Sequence, residues 1–445
     1  MYYGELLKND IVNLFYCKGD FYSQNKKLND IYFTLVQYAD SKINIILGFP
    51  NNSNMIHIIN DYINNSNTTY SIKGNLIEEE GEVIIREAKI SQLNLNLFND
   101  KDIINFAFEV YDPVEIIFDK NERNGELIIV GLTNFIHDDE RKNPSFSRFN
   151  IKTKDFEANF YGIEGYSYYK DLLKNNNQLY FLTSEMEIKT KSHYSENIID
   201  CLTDLISYSK GTHTTAIYEI FMKNNQKTKI ILRPIVTINH LRIKPLIRNE
   251  DLPLFLESTY KFYLENYDRL SLKLVLGFYL EALRSKYYEE KYLLASTCLE
   301  TLLSSYENLC KIKETPIKPS SIKRTEKNIK EFLNEKNIKL SEKIIKELSE
   351  EISYNFPSLN DKLSAMKIEF DLKLKPYDYD MPQIRNKITH TGKIPKTIKS
   401  CKGEREIHFN IEFNRLIYLI DRILLSILNY NESFYNRLES KYTGE

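Results

Sequence analysis

The chain has 445 residues, 42% of them hydrophobic and 27% charged, an ordinary globular composition that can bury a substantial core without disulfides or metals. A formal charge of −2 excludes the global basic signature of many nucleic-acid-binding proteins, so any such site must be local. The five cysteines (Cys17, Cys201, Cys298, Cys310 and Cys401) form no CxxC pair and no metal-ligand spacing, so reduced thiols, a cytoplasmic location and no metal or other cofactor are expected.

The first residues, MYYGELLKND, lack a basic region followed by an apolar one, so no signal peptide is expected. Up to about residue 245, short apolar runs alternate with polar positions between Asn, Asp and Gly turns. Such runs include DIYFTLVQYA (30–39), KINIILGF (42–49), EVIIREAKI (82–90), PVEIIFDK (113–120), GELIIVGLTNF (125–135), FEANFYGI (156–163), QLYFLTSEMEI (178–188) and KIILRPIVTI (229–238). This spacing predicts a largely antiparallel sandwich or barrel over residues 1–245. One helix interrupts it, with Ile198, Ile199, Leu202, Leu205 and Ile206 on one face and Gly211 as its stop.

From about residue 250 to 440 the period becomes helical, which gives an α+β chain with a β-rich first domain and an all-α second one. Two or three helices fill 252–309. SIKRTEKNIKEFLNEK and SEKIIKELSEEISY are amphipathic, with serines placed as N-caps, and KIKETPIKP (311–319) reads as a connector. NRLIYLIDRILLSILNY supplies a strongly apolar last helix. This run and LVLGFYL (274–280) are too short or too charged to cross a membrane, so no membrane association is expected.

Several chemistries lack their usual sequence support. There is no GxxxxGK[ST], HExxH or GxSxG, and no GxGxxG coupled to a strand. His137, Asp138, Asp139 and Glu140 are adjacent in IHDDER and cannot all face one ion from one strand; a solvated turn is expected. Residues 311–350 hold eleven Lys and Arg against seven Glu, either a phosphate-attracting surface or a solvated helical face laced by Glu–Lys pairs.

The stretch DMPQIRNKITHTGK (380–393) carries more. Asp380 and Pro382 suit a helix start and Gly392 its end. Met381, Ile384 and Ile388 form the apolar stripe, which places Asn386 and His390 on nearly the opposite face and Arg385 on the flank, about 140° from His390. Histidine titrates near neutral pH and serves as a general base, whereas arginine stays charged and grips phosphate with two parallel hydrogen bonds. Together they suit phosphate-ester chemistry.

In this helical setting IRNKITHTGK resembles the Arg-x(4–6)-His signature of the HEPN superfamily in its RNxxxH form. EEKYLLASTCLETLLSSY (289–306) resembles the earlier HEPN helix that carries an acidic residue, here Glu300. A β-rich half followed by this helical half is similar to the ApeA-type anti-phage defence proteins. The resemblance implies a metal-independent endoribonuclease acting in abortive infection. Arg385, Asn386 and His390 would be catalytic, and two copies of the motif would meet across a homodimer or higher homo-oligomer. RNA, with tRNA among the candidates, would be the substrate, and a phage-derived component the trigger sensed by the N-terminal domain. Glu300 would hold Arg385 or support the cleft, against the alternative of an ordinary ion pair. Two other readings stay open: a non-catalytic dimerisation or binding scaffold on the same fold, and a β-sandwich ligand binder with a helical appendage.

Overall fold

The structure is a computed structural model that describes residues 11–23, 26–50, 68–96, 103–119, 126–133, 135, 149–162, 182–190, 197–235, 244–310, 319–336, 338–352, 359–400 and 403–443. The chain divides into two compact units, Met1–Tyr260 and Lys261–Glu445, and the division falls within one helix, Leu252–Asn266. The IHDDER stretch and the 311–318 part of the connector lie outside the described residues.

Among the described residues, the first unit is built on thirteen antiparallel strands. These are β1 (Ile11–Ser23), β2 (Lys26–Tyr38), β3 (Ile43–Pro50), β4 (Thr69–Leu76), β5 (Glu82–Asn96), β6 (Ile103–Val110), β7 (Val114–Ile117), β8 (Leu127–Thr133), β9 (Phe149–Lys152), β10 (Phe156–Gly162), β11 (Leu182–Thr190), β12 (Ala216–Lys223) and β13 (Gln226–Leu232). Six of them close a barrel in the order β4-β1-β2-β3-β6-β5, with β5 returning to pair with β4. The remainder form an open sheet, β7-β13-β12-β8-β11-β10-β9, joined to the barrel through β5. The long β5 makes this possible: Glu82–Ile84 pair with β7, while Ala88–Asn96 pair with β6.

Alternation of side chains fills the barrel, as a two-residue strand period requires. On β2, Ile31, Phe33 and Leu35 point inward; on β4, Tyr70 and Ile72. Phe108 meets Phe21 and Tyr70 at centroid separations of 5.9 and 5.4 Å, the latter edge to face. Gly19 of β1 pairs with Gly74 of β4, and a Cβ on Gly19 would stand 2.5 Å from the Gly74 Cα. The glycine pair lets β1 and β4 approach closely within the barrel wall.

In the open sheet, Tyr218 of β12 and Glu185 of β11 both lie in register with Gly131 of the strand between them. The Tyr218 ring crosses that strand at the glycine and its hydroxyl donates to Glu185. A Cβ on Gly131 would sit 2.3 Å from the ring. Gly131→Ala is therefore expected to displace the ring, break this bond and cost about 2 kcal/mol, read from urea unfolding. α1 (Asn197–Lys210) buries Ile198, Ile199, Leu202, Leu205 and Ile206 as the sequence predicts, and Gly211, at φ 69°, ends it.

α2 (Leu252–Asn266), α3 (Leu272–Arg284) and α4 (Tyr288–Cys310) are the three early helices. In the second unit α4 packs against α3, α7 (Leu359–Glu369), α8 (Met381–Thr391) and α9 (Phe409–Ile427). α5 (Pro319–Glu335) and α6 (Glu342–Ile352) pack on each other. Ser341 caps α6, its hydroxyl accepting from the Ile344 N–H at 3.4 Å. The expected serine cap of α5 is not found: Ser320 and Ser321 lie within the described helix, and the residues just before Pro319 lie outside the described ones. Two short hairpins also interrupt the helical pattern, β14–β15 (Thr397–Ser400 and Gly403–Glu406) and β16–β17 (Tyr435–Asn436 and Lys441–Tyr442).

The apolar interior of this unit encloses a charged group. Asp421 of α9 is fully buried, accepts a hydrogen bond from Tyr279 at 2.7 Å and lies 3.7 Å from Arg437. Burial pushes its carboxyl up to about 6, against the opposing pull of Arg437. A carboxyl with an unfolded-state pKa of about 3.9 thus contributes stability that is complete below about pH 4 and lost as pH rises through about 6, on the order of 3 kcal/mol. Asp421→Asn is expected to remove this dependence. Unfolding measured at about pH 4.5 and about pH 7 should show a smaller pH difference in the variant than in the parent.

Candidate functional site

The segment that carries Arg385, Asn386 and His390 is α8, and the phase expected from sequence holds. Met381, Ile384 and Ile388 are buried, Asn386 and His390 are exposed, and Arg385 is half-buried on the flank. Pro382 lies in the first turn; Gly392, at φ 65°, ends the helix with its N–H donating to Ile388 at 2.8 Å. This is the left-handed conformation that glycine adopts without strain.

Arg385 is the junction of the polar side. Its Nη2 donates to Glu300 Oε2 at 3.1 Å, and its Nη1 donates to Asn386 Oδ1 at 3.1 Å. Both ion-pair side chains keep about a third of their surface, 37% for Arg385 and 31% for Glu300. The pair therefore orients the guanidinium while leaving further N–H donors facing solvent, since arginine has five. The sequence leaves Glu300 between a support of the site and an ordinary surface or helix–helix ion pair; α4 carries it to Arg385, a contact that both readings contain. His390 stands one turn beyond Asn386, about 7.5 Å along the axis from Arg385.

The start of α8 is held by charges that the sequence reading did not single out. Asp380 does not cap the helix with its side chain, contrary to expectation. Its carboxylate instead accepts from Arg405 of β15 at 3.0 Å. Arg405 also donates to Glu412 of α9, which accepts a further bond from Arg415 at 2.6 Å. Just upstream, in a single 3₁₀ turn (Pro376–Tyr379), buried Asp378 accepts from Arg422 at 2.8 Å and from its own Lys375 N–H at 2.8 Å. Glu412 and Asp378 hold Arg415 and Arg422 against the faces of Tyr377 and Tyr418, 4.7 and 4.8 Å from the ring centroids. Charged positions inside the apolar pattern of α9 are the signal that would have marked Glu412 and Asp421 as buried partners.

Of the other histidines, His408 is exposed, 3.9 Å from Glu406, and His213 is partly buried; His57, His137, His193 and His240 lie outside the described residues. Among the described residues no helix is long and apolar enough to cross a membrane. The lysine-rich helices follow the solvated alternative: Lys327–Glu331, Lys330–Glu326, Lys343–Glu347 and Lys346–Glu350 are ion pairs one turn apart.

Compared with known proteins, residues 265–445 match the family model of the YopA C-terminal domain. The match spans less than half of the chain and includes Glu300, Arg385, Asn386 and His390. No curated protein and no solved structure matches the chain.

Proposed function

We propose that the helical unit is a HEPN-type, metal-independent endoribonuclease domain and that the β-rich unit regulates it. One observation carries this reading. α8 turns Asn386 and His390 outward while Arg385, beside them, is oriented by Glu300 with donors to spare. A buried structural role would have put His390 on the Ile384–Ile388 stripe.

RNA supplies its own nucleophile. His390 would accept the proton of a 2′-OH as the oxygen attacks the adjacent phosphorus. Arg385 would stabilise the negative charge that builds on the non-bridging phosphorane oxygens. The bond to the 5′-oxygen then breaks, and that oxygen needs a proton from an acid on the opposite side. A single histidine performs base and acid roles poorly in one step. A second copy of α8, brought in by two-fold symmetry, would supply the second histidine. The products would be a 2′,3′-cyclic phosphate and a 5′-hydroxyl, and the proton count balances: one removed from the 2′-OH, one delivered to the leaving oxygen.

In a defence setting such an enzyme would rest inactive in the cytoplasm until a phage-derived component engages the β-rich unit, and would then cut host RNA, tRNA among the candidates. The direct test is cleavage by the triggered protein of a single-stranded oligoribonucleotide in excess EDTA beside its all-2′-deoxy counterpart. RNA is expected to be cut with EDTA present and the deoxy strand left whole. Loss of cleavage with EDTA would contradict the mechanism. A scaffold reading of the same unit draws on the exposed apolar side chains of α5 and α6, Phe332, Ile344 and Leu348. It leaves His390 without effect on RNA, so His390→Ala separates the two.

A further inference from the structure

The chain that leaves α8 is basic and returns to the start of that helix through a hairpin. Arg405 sits in register with Ile398 on the β14–β15 hairpin, and its guanidinium reaches Asp380 at the start of α8. Gly392 marks the other end of α8, about 16 Å away for an eleven-residue helix. The hairpin that follows residues 393–396 therefore comes back toward the first turn of α8. Ile398, 6% exposed, anchors this return, and the Ile407 N–H donates to Lys396 O at 2.8 Å.

Lys393, Lys396 and Lys399 lie on that return, and Lys387 sits on α8 between Asn386 and His390. All four are exposed, and among the described residues none of them enters an ion pair. On α5 and α6, by contrast, Lys327, Lys330, Lys343 and Lys346 each find a glutamate one turn away. Two carboxylates share the hairpin: Glu404 accepts from Thr397 at 2.7 Å, and Glu406 faces His408. The four uncommitted ammonium groups leave this border of α8 net positive.

We infer that Lys387, Lys393, Lys396 and Lys399 form a backbone-binding border that receives the phosphates flanking the scissile one, with single-stranded RNA as the ligand class. The inference rests on the ribonuclease reading and deepens it. Arg385 grips the reacting phosphate, and the lysines hold its neighbours as point charges, without reading sequence. Their contribution is counterion release, so it must carry a salt signature.

The test uses the full chain carrying His390→Ala, which keeps the RNA intact, and follows anisotropy of a labelled single-stranded oligoribonucleotide across a salt series. Replacing Lys393, Lys396 and Lys399 together by Ala is expected to weaken binding at least about tenfold near 0.1 M salt and to lower the log–log salt slope by about 2, the value for three lost contacts on a single strand. Lys327, Lys330 and Lys343 replaced by Ala serve as the paired-lysine control and should leave both quantities unchanged. Equal affinity and slope in the hairpin variant, or equal losses in the control, would overturn the lysine border while leaving the nuclease reading standing. A parent that binds no RNA at all would likewise overturn the border, while the nuclease reading is judged separately by the RNA ends that the triggered protein leaves.

Discussion

His390→Ala is expected to lower RNA cleavage by about 10² to 10⁴-fold, the range for loss of a general base or acid, while unfolding midpoint and oligomeric state stay as in the parent. The stability half of this expectation follows from exposure. His390 lies opposite the Met381–Ile384–Ile388 stripe, so its removal opens no cavity. The activity half follows from chemistry: without the imidazole, the outward face of α8 loses the group assigned as general base. In a mixed dimer one defective histidine should disable the shared cleft, so titrating wild type with excess variant is expected to reduce activity more steeply than simple dilution. Arg385→Lys should also be poorly tolerated, because a lysine keeps the charge but loses the fork that meets Glu300 and Asn386 together.

Arg405→Ala is expected to have the largest effect on stability, a loss of about 3 kcal/mol or more measured by urea unfolding. It strips the buried carboxylates of Asp380 and Glu412 of a shared partner, and breaking a buried pair from one side typically costs about 3–5 kcal/mol. Glu412 retains Arg415, which limits the loss; Asp380 has only 7% of its side chain exposed. The consequence reaches function as well as stability. Asp380 begins α8, so the helix that carries Arg385 and His390 loses the tie that fixes its first turn to β15 and α9. Arg405→Lys is expected to recover part of the stability, since one ammonium cannot bridge two carboxylates as the guanidinium does.

Much of the architecture was legible because burial writes a period into the sequence. Period-2 alternation marked the strand-rich unit, and the 3.6-residue stripes marked α1 and α8 closely enough to orient their faces. Barrel closure was not legible, because it depends on β5 pairing with β4 on one edge and with both β6 and β7 on the other, a property of register rather than local pattern. The β14–β15 hairpin escaped for a similar reason: four-residue strands carry too few alternations to stand out. Within the candidate site, Arg385, Asn386 and His390 were readable from spacing and helix phase. Their supports were not. Glu300 lies 85 residues from Arg385 and Arg405 lies 25 from Asp380, and separations of that size are fixed only by tertiary packing. Asp380 illustrates the cost of local reasoning: its position suited a cap, but the guanidinium of Arg405 was the stronger partner.

The measurement that bears most directly on the ribonuclease assignment is the identity of the RNA ends left by the triggered wild-type protein in EDTA, determined by mass spectrometry of a cleaved oligoribonucleotide. In-line attack by the 2′-OH leaves a 2′,3′-cyclic phosphate on one fragment and a 5′-hydroxyl on the other, and those are the expected ends. Fragments bearing 3′-hydroxyl and 5′-phosphate ends would show water, not the ribose, acting as nucleophile, and would contradict the role assigned to Arg385 and His390.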